Sequence, residues 1–503
     1  MERFATSVAL PCEAATLRLG EDLAMALKPG DVLALSGDLG AGKTSLARAL
    51  IRAIADDDLL EVPSPTFTLV QGYDGLRLPI AHFDLYRLSG PDELEELGLD
   101  EALGEGAALI EWPERAAGLL PDSTIRLDLS HEGEGRRADI ACEGPAGERV
   151  ARSLAIRAFL AEAGWGTAER RFLTGDASAR AYETATLGEE TRILMDAPRM
   201  PDGPPILDGL PYSRIAHLAE DVAPFVAIAR ALHDEGFAAP QIHAADLDAG
   251  LLLTEHLGPP VFLDAAGKPV RERYEAAARM LAALHLVQWP RALPVAEGIV
   301  HHVPDYDRRA MLVELDLLPA WYQEFASGAV PDKDARDAFL SAWNTVLDQL
   351  EDCETSLVLR DFHSPNIIWR ADREGLGKVG VIDFQDAMTG PSAYDVASLA
   401  QDARVTISPD LEKATVEAYC EAREAAGPFD RAAFERAYAI MAAQRNSKIL
   451  GIFVRLDRRD GKPSYLKHLP RIRDYLSRVL GHEALAPVRG YYRDLGIVPG
   501  KQP

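Results

Sequence analysis

Asp361, Asn366 and Asp383 constrain this chain more than any other feature. They lie in Leu359-Arg360-Asp361-Phe362-His363-Ser364-Pro365-Asn366-Ile367-Ile368-Trp369 and Val379-Gly380-Val381-Ile382-Asp383-Phe384-Gln385-Asp386. Residues 367–369 and 379–382 read as short apolar strands and 371–378 as a polar, glycine-containing turn, so the spacing predicts a hairpin. A hairpin brings Asn366, before its first strand, near Asp383, at the end of its second. One amide and one carboxylate oxygen converging on a loop suit Mg²⁺, which takes few protein ligands and keeps waters and phosphate oxygens. Asp361 shares that loop, positioned to meet a hydroxyl and take its proton. A capping Asp, a turn Asn and a surface Asp would not need strand signals on both sides of them.

The length of 503 residues predicts two to four domains, each with its own core. A net charge of −26 argues against a protein that grips nucleic acid unaided, because such affinity comes mainly from Lys and Arg neutralising phosphates. Cys12, Cys142, Cys353 and Cys420 are far apart with no CxxC pair, which disfavours a disulfide framework or a metal cluster and favours a reducing compartment. No basic segment with an apolar core opens the chain and no run of about 18 apolar residues occurs, so the expectation is a cytoplasmic protein without a membrane span.

A second phosphate chemistry stands near the N-terminus. Val32-Leu33-Ala34-Leu35 is a buried-strand pattern, and Gly37-Asp38-Leu39-Gly40-Ala41-Gly42-Lys43-Thr44 follows at once. The octet satisfies G-x-x-x-x-G-K-S/T and runs into a helical stripe of Leu46, Leu50 and Ile54. Its glycines let backbone N–H groups wrap phosphates at a helix N-terminus, with Lys43 on the outer phosphates and Thr44 on Mg²⁺. Asp84 and Glu111 each end an apolar run, and either could serve the metal or orient water. Thr66, at the tip of a Pro-stiffened loop over 62–70, matches a nucleotide-sensing position.

The octet, Ser64-Pro65-Thr66-Phe67-Thr68-Leu69-Val70, His82-Phe83-Asp84-Leu85-Tyr86-Arg87-Leu88 and Ile110-Glu111-Trp112-Pro113-Glu114 together resemble the small bacterial P-loop ATPase of tRNA threonylcarbamoyladenosine synthesis, the TsaE family. The resemblance covers roughly residues 6 to 143. It implies an α/β ATPase that binds ATP and assists a transfer complex, with Thr66, Asp84 and Glu111 around the Mg-nucleotide and Trp112 beside it. Partner proteins would then hold the tRNA, so this chain meets tRNA only indirectly. Turn-rich stretches at 133–137 and 144–147 place the domain boundary near Gly147.

Residues 148–503 are expected to form a second, bilobal domain, with a small lobe over about 168–258 and a large lobe over about 259–503. Leu173-Thr174-Gly175-Asp176-Ala177-Ser178-Ala179-Arg180 could close over ATP phosphates between two strands, with Asp176 in the loop, Ser178 donating and Arg180 offering charge. Met195 stands where kinase-like folds carry a phosphate-binding Lys. No Lys occurs from 171 to 260, so either Arg180, then Arg192 or Arg199, supplies the charge, or Mg²⁺ and backbone donors do so without a replacement. Residues 250–258 read as a strand entering an inter-lobe hinge, where Glu255 and Leu257 would meet adenine through main chain. His285 reads as structural, and Asp395 as a helix cap bracing the catalytic loop. Gln444-Arg445-Asn446-Ser447-Lys448 interrupts an apolar helical pattern, and basic residues follow to Lys467, which reads either as a site for an anionic substrate or as a solvated helix face and loop.

This part resembles the aminoglycoside/choline-kinase-like phosphotransferases. Its nearest likeness, on Gly175 to Ser178, Leu194 to Pro198, Asp361 to Asn366, Asp383 to Asp386 and Gln444 to Gly451, is to anomeric kinases of N-acetylmuramate and N-acetylglucosamine in cell-wall recycling. The implied fold class is an α/β P-loop NTPase domain followed by an α+β protein-kinase-like domain. The implied roles are Asp361 as base, Asn366 and Asp383 on Mg²⁺, and Arg445 and Asn446 at the amino sugar, with Arg445 the expected partner of a muramate's lactyl carboxylate. Rival expectations are an aminoglycoside, choline or homoserine kinase, or a non-catalytic nucleotide-binding module that regulates the ATPase.

Overall fold

A computed structural model of the chain describes residues 3–88, 93, 97–116, 118–173, 180–259 and 261–498. It divides into two units, residues 1–197 with 243–254 and residues 198–242 with 255–503. The first unit opens with seven strands: β1 (Arg3–Leu10), β2 (Val32–Gly37), β3 (Val70–Tyr73), β4 (Ile80–Asp84), β5 (Ala107–Glu111), β6 (Ile125–Glu132) and β7 (Gly135–Glu143). They lie in the order β1-β7-β6-β2-β5-β4-β3. β2 runs parallel to β5 and β6, and its first four residues are all buried, as an unbroken apolar run requires. The register sets Leu35 beside Glu111 and Asp84 beside Glu111. Both acids therefore end at the carboxyl edge of the sheet, where the phosphate-loop octet leaves β2. Helices α1 (Glu13–Ala26) and α2 (Lys43–Ala55) pack Leu19, Leu23, Leu46 and Leu50 into one core with Leu33, Leu35 and Leu127. Gly42 caps α2 at a φ of 106°, a left-handed value that favours glycine.

The turn-rich stretch at 144–147 begins helix α3 (Pro145–Glu162). Pro145 suits the first helical turn, where its missing N–H leaves no bond unmade. Val150 belongs to the core of the seven-stranded sheet. Ile156, Phe159 and Leu160, farther along, join Trp165, Ala185, Leu194 and Leu251 in a second core. That core backs a five-stranded sheet of β8 (Glu169–Leu173), β9 (Ala181–Leu187), β10 (Glu190–Asp196), β11 (Ile242–Asp246) and β12 (Leu251–Glu255), in the order β11-β12-β10-β9-β8. One helix thus serves both cores. Buried charge reinforces it: Arg170, fully buried on β8, donates to both carboxylate oxygens of Glu183 at 2.7 and 2.9 Å and to Asp22 of α1 at 2.7 Å.

In the second unit, β13 (Thr355–Val358) pairs with β16 (Met388–Pro391), and β14 (Ile367–Trp369) pairs antiparallel with β15 (Val379–Val381). The second pair is the expected hairpin, in the register Ile367 to Val381 and Trp369 to Val379. Helices α4 (Arg308–Leu315) and α5 (Ala393–Ala400) bond residues 359 and 360 through Glu314 and Asp395, and α6 (Arg431–Arg458) reaches Glu314 through Gln444 and Lys448. The polar run 444–448 does not break α6; all five residues are buried in a continuous helix. Each has a partner: Gln444 and Lys448 reach Glu314, Arg445 the carbonyl of Gln401, Asn446 the Gln401 side chain, and Ser447 the carbonyl of Ala443. Among the described residues no helix is long and apolar enough to cross a membrane.

Candidate functional sites

The hairpin delivers Asn366 to Asp383. The Asn366 amide nitrogen donates to the Asp361 carbonyl at 2.9 Å and to Asp383 Oδ2 at 3.2 Å, while Gln385 Nε2 donates to Asp383 Oδ1 at 2.9 Å. Arg360 and Asp383 both hold left-handed backbone, with φ of 71° and 61°, a strained conformation that concentrates at functional loops. Asp395 braces the loop from α5, accepting the Leu359 and Arg360 N–H groups at 2.6 and 2.9 Å. Burial pushes its pKa up to about 7 despite those two bonds. The donor set suits a hard cation, which would take the Asp383 carboxylate and the amide oxygen of Asn366.

Asp361 opens on a cavity of about 210 Å³, lined among others by Tyr212, His363, Arg445, Lys448 and Arg455. Burial alone would raise the Asp361 pKa, but Lys448, then His363, Arg360 and Arg445 hold it below the ordinary carboxylate value. Glu314, fully buried, also lines the cavity. It accepts from Tyr306 at 2.5 Å, Gln444 at 3.0 Å and Lys448 at 3.2 Å, and pairs with Arg360. Burial would raise its pKa too; Lys448 and Arg360 hold it at about 2. The cavity therefore holds two ionised acids, Asp361 and Glu314, among Arg360, Arg445, Lys448 and Arg455.

In the first unit, Lys43 Nζ donates to the carbonyls of Gly37 and Asp38 at 2.7 and 3.0 Å and lies 3.8 Å from the Trp112 ring centroid. Burial lowers its pKa, with Glu111, Glu114, Asp84 and Asp38 opposing. The two acids left open by sequence separate by partner. Glu111 accepts from Thr44 Oγ1 at 3.0 Å and meets His82 Nε2 at 3.0 Å; Asp84 accepts from Thr66 Oγ1 at 2.7 Å and from the Tyr86 N–H at 3.0 Å. Thr44 and Glu111 form a hydroxyl–carboxylate pair beside the phosphate loop, a donor set that fits Mg²⁺.

Two families match successive parts of the chain, and the second match, from residue 169, runs across both structural units. Residues 10–138 match the family described as threonylcarbamoyl adenosine biosynthesis protein TsaE, and residues 169–429 match the phosphotransferase enzyme family. An N-acetylmuramate/N-acetylglucosamine kinase of Caulobacter vibrioides is 36% identical over 352 residues, 68% of this chain and 96% of that protein. The tRNA threonylcarbamoyladenosine biosynthesis protein TsaE of Rickettsia felis is 42% identical over 125 residues, 25% of this chain and 72% of that protein. The chain belongs to both families. The Haemophilus influenzae TsaE is 35% identical over 147 residues, 28% of this chain and 92% of that protein. The chain is thus a fusion of a TsaE-type domain and an ATP-dependent phosphotransferase domain of the N-acetylmuramate/N-acetylglucosamine kinase kind.

Several expected site residues lie elsewhere than the sequence implied. Asn446 is 1% exposed and its amide donates to Gln401 Oε1 at 2.6 Å, so it holds α6 to its neighbour instead of facing the cavity. Met195 is buried in the small-lobe sheet. Arg192 bonds Glu190 at 2.8 Å and covers Trp165, and Arg199 pairs with Glu220 at 3.1 Å, so neither is placed as a spare phosphate clamp. Arg180 immediately precedes β9; Asp176 and Ser178 fall outside the described residues. The Glu255 N–H is bonded to the Gln241 carbonyl at 2.8 Å, which assigns any main-chain contact from Glu255 to its carbonyl. Leu257 is buried. His285 meets Tyr419 at 2.9 Å, and burial lowers its pKa to about 3, a structural role. Sequence reasoning missed Glu314 and Tyr212, whose only local signal was the apolar spacing around them; it singled out the stretch that carries Lys448 but not the lysine's bond to Glu314.

Proposed function

We propose that residues 148–503 transfer the γ-phosphoryl group of ATP to the anomeric hydroxyl of N-acetylmuramate or N-acetylglucosamine, and that residues 1–147 form an ATPase assisting tRNA threonylcarbamoyl transfer in the cytoplasm. The observation that carries the kinase reading is the Asp361, Asn366 and Asp383 loop opening on a cationic cavity. Asp361 orients the anomeric hydroxyl and takes its proton as that oxygen bonds the γ-phosphorus; the bond to the bridging β–γ oxygen breaks and ADP leaves. Mg²⁺ held by Asn366 and Asp383 would neutralise phosphate charge. Positioning and charge provide most of the catalysis in such transfers. An anomeric hydroxyl is more acidic than an ordinary alcohol, so a strongly ionised carboxylate suffices as base. Within the second unit, Arg445 would face the sugar, and Glu255 and Leu257 would meet the adenine through main chain.

In the ATPase domain, Gly37 to Thr44 would cradle the nucleotide phosphates, with Asp38, Leu39, Gly40, Ala41 and Gly42 contributing main chain. The Thr44 to Glu111 bond supports Glu111 as the acid serving Mg²⁺, and the Thr66 to Asp84 bond supports these two as the sensing pair. Its partners would be the proteins of the tRNA-modifying complex.

The test is phosphate transfer from labelled ATP to N-acetylmuramate, N-acetylglucosamine, glucose, choline and kanamycin, with Lys43→Ala present throughout to silence the ATPase. Acid-labile, base-stable product on the amino sugars is expected. Asp361→Asn should lower its formation by roughly 10²–10⁴-fold, the usual worth of a positioned base. Product confined to choline or kanamycin would move the substrate assignment, and nucleotide binding without any product would make this domain a regulatory module.

A further inference from the structure

The cavity beside Asp361 holds more positive charge than its own acids use. Glu314 takes up Arg360 and Lys448. Arg445 and Arg455 also line the cavity, and neither forms an ion pair among the described residues. The two differ in setting. Arg445 is 3% exposed, donates to the Gln401 carbonyl at 3.4 Å and is among the charges acting on Asp361. Arg455 lies ten residues farther along α6, about 15 Å by helical rise. Its guanidinium sits 5.3 Å from the Tyr212 ring centroid, and its Nε is buried without a hydrogen-bond partner. A ring face only partly compensates a desolvated guanidinium. Burial accordingly pushes the Arg455 pKa down.

From this unused charge we infer that Arg455, stacked on Tyr212, is a specificity residue that binds a carboxylate carried by the sugar, on the far side of the ring from the hydroxyl that meets Asp361. The inference rests on the sugar-kinase reading and deepens it. The two substrates named for the Caulobacter vibrioides relative differ in this group: N-acetylmuramate carries an ether-linked carboxylate and N-acetylglucosamine does not. A guanidinium matches a carboxylate through two parallel N–H donors, and the ring below keeps that fork planar and oriented. Arg445, closer to the reacting atoms, is left to the ring and its hydroxyl.

The readout is the ratio of kcat/KM for N-acetylmuramate to that for N-acetylglucosamine, with the methyl ester of N-acetylmuramate as a third substrate. Arg455→Gln should lower the ratio by about tenfold or more, the effect of losing a charge-assisted hydrogen bond, mainly through KM. Arg455→Lys should recover part of it, which loss of folding would not. Esterification should cost the wild type about as much as Arg455→Gln costs the acid, and cost the variant little more. An unchanged ratio in Arg455→Gln, with both sugars still phosphorylated by the wild type, overturns the assignment while leaving the kinase reading intact. Wild type inactive on every amino sugar overturns both.

Discussion

Lys448 sets the electrostatics of the phosphotransferase site from within α6. Its ammonium lies 3.2 Å from Glu314 Oε1 and donates to Tyr394 at 2.8 Å. Burial alone would lower its pKa, but Glu314, then Tyr394, raise it above the ordinary lysine value. Lys448 is also the strongest of the charges holding the Asp361 pKa down. In its proposed role of general base Asp361 works only when deprotonated, so a lowered pKa extends activity into acid. Lys448→Met removes that influence, and the acid limb of kcat/KM should move to higher pH. Arg360 stays paired with Glu314, so the stability cost should be on the order of 1–3 kcal/mol, that of a lost charged hydrogen bond. A pH–rate profile checks this; an acid limb in the same place would remove Lys448 from the control of Asp361.

At the scale of elements, α6 carries one wall of the cavity beside Asp361, and one glycine sets where it lies. A Cβ built on Gly451 would meet the Leu317 carbonyl oxygen at 2.3 Å. Backbone cannot rotate aside as a side-chain tip can, so Gly451→Ala should destabilise the fold by about 1–3 kcal/mol, as overpacking does. Chemical denaturation measures this, and a neutral result would mean that the helix shifts freely along its length. The strand-loop-helix around Gly37 to Thr44 and the hairpin carrying Asn366 and Asp383 were legible in the sequence, because period, turn residues and motif fall within a few neighbours. Glu314 was not. In α4 it reads as one acid on an ordinary helix, and its worth comes from Arg360 and Lys448, far away in the chain. The burial of Gln444 to Lys448 escaped for the same reason: polarity suggested a solvated face, while their partners lie on other elements.

At the scale of the molecule, the first unit joins the TsaE-type domain to the small-lobe sheet through α3 and buried charge. Asp22 of α1 receives Arg157 at 2.8 Å and Arg170 at 2.7 Å, and Arg170 holds Glu183 of β9 with two bonds. Asp58, beyond the C-terminal end of α2, pairs with Arg171 on β8 at 2.5 Å, but its exposure leaves that pair little worth. The buried cluster is different. Replacing Arg170 by Met leaves Asp22 with Arg157 but leaves Glu183 buried without its guanidinium, and an uncompensated buried charge costs about 3–5 kcal/mol. Because Arg170 touches both α1 and β9, the loss should not stay on one side. Hydrogen exchange on the full chain should show Arg170→Met raising amide exchange in α1 and in β9 together. Faster exchange confined to β8 and β9 would mean that the ATPase domain holds its stability alone and that α3 merely tethers the small lobe to it.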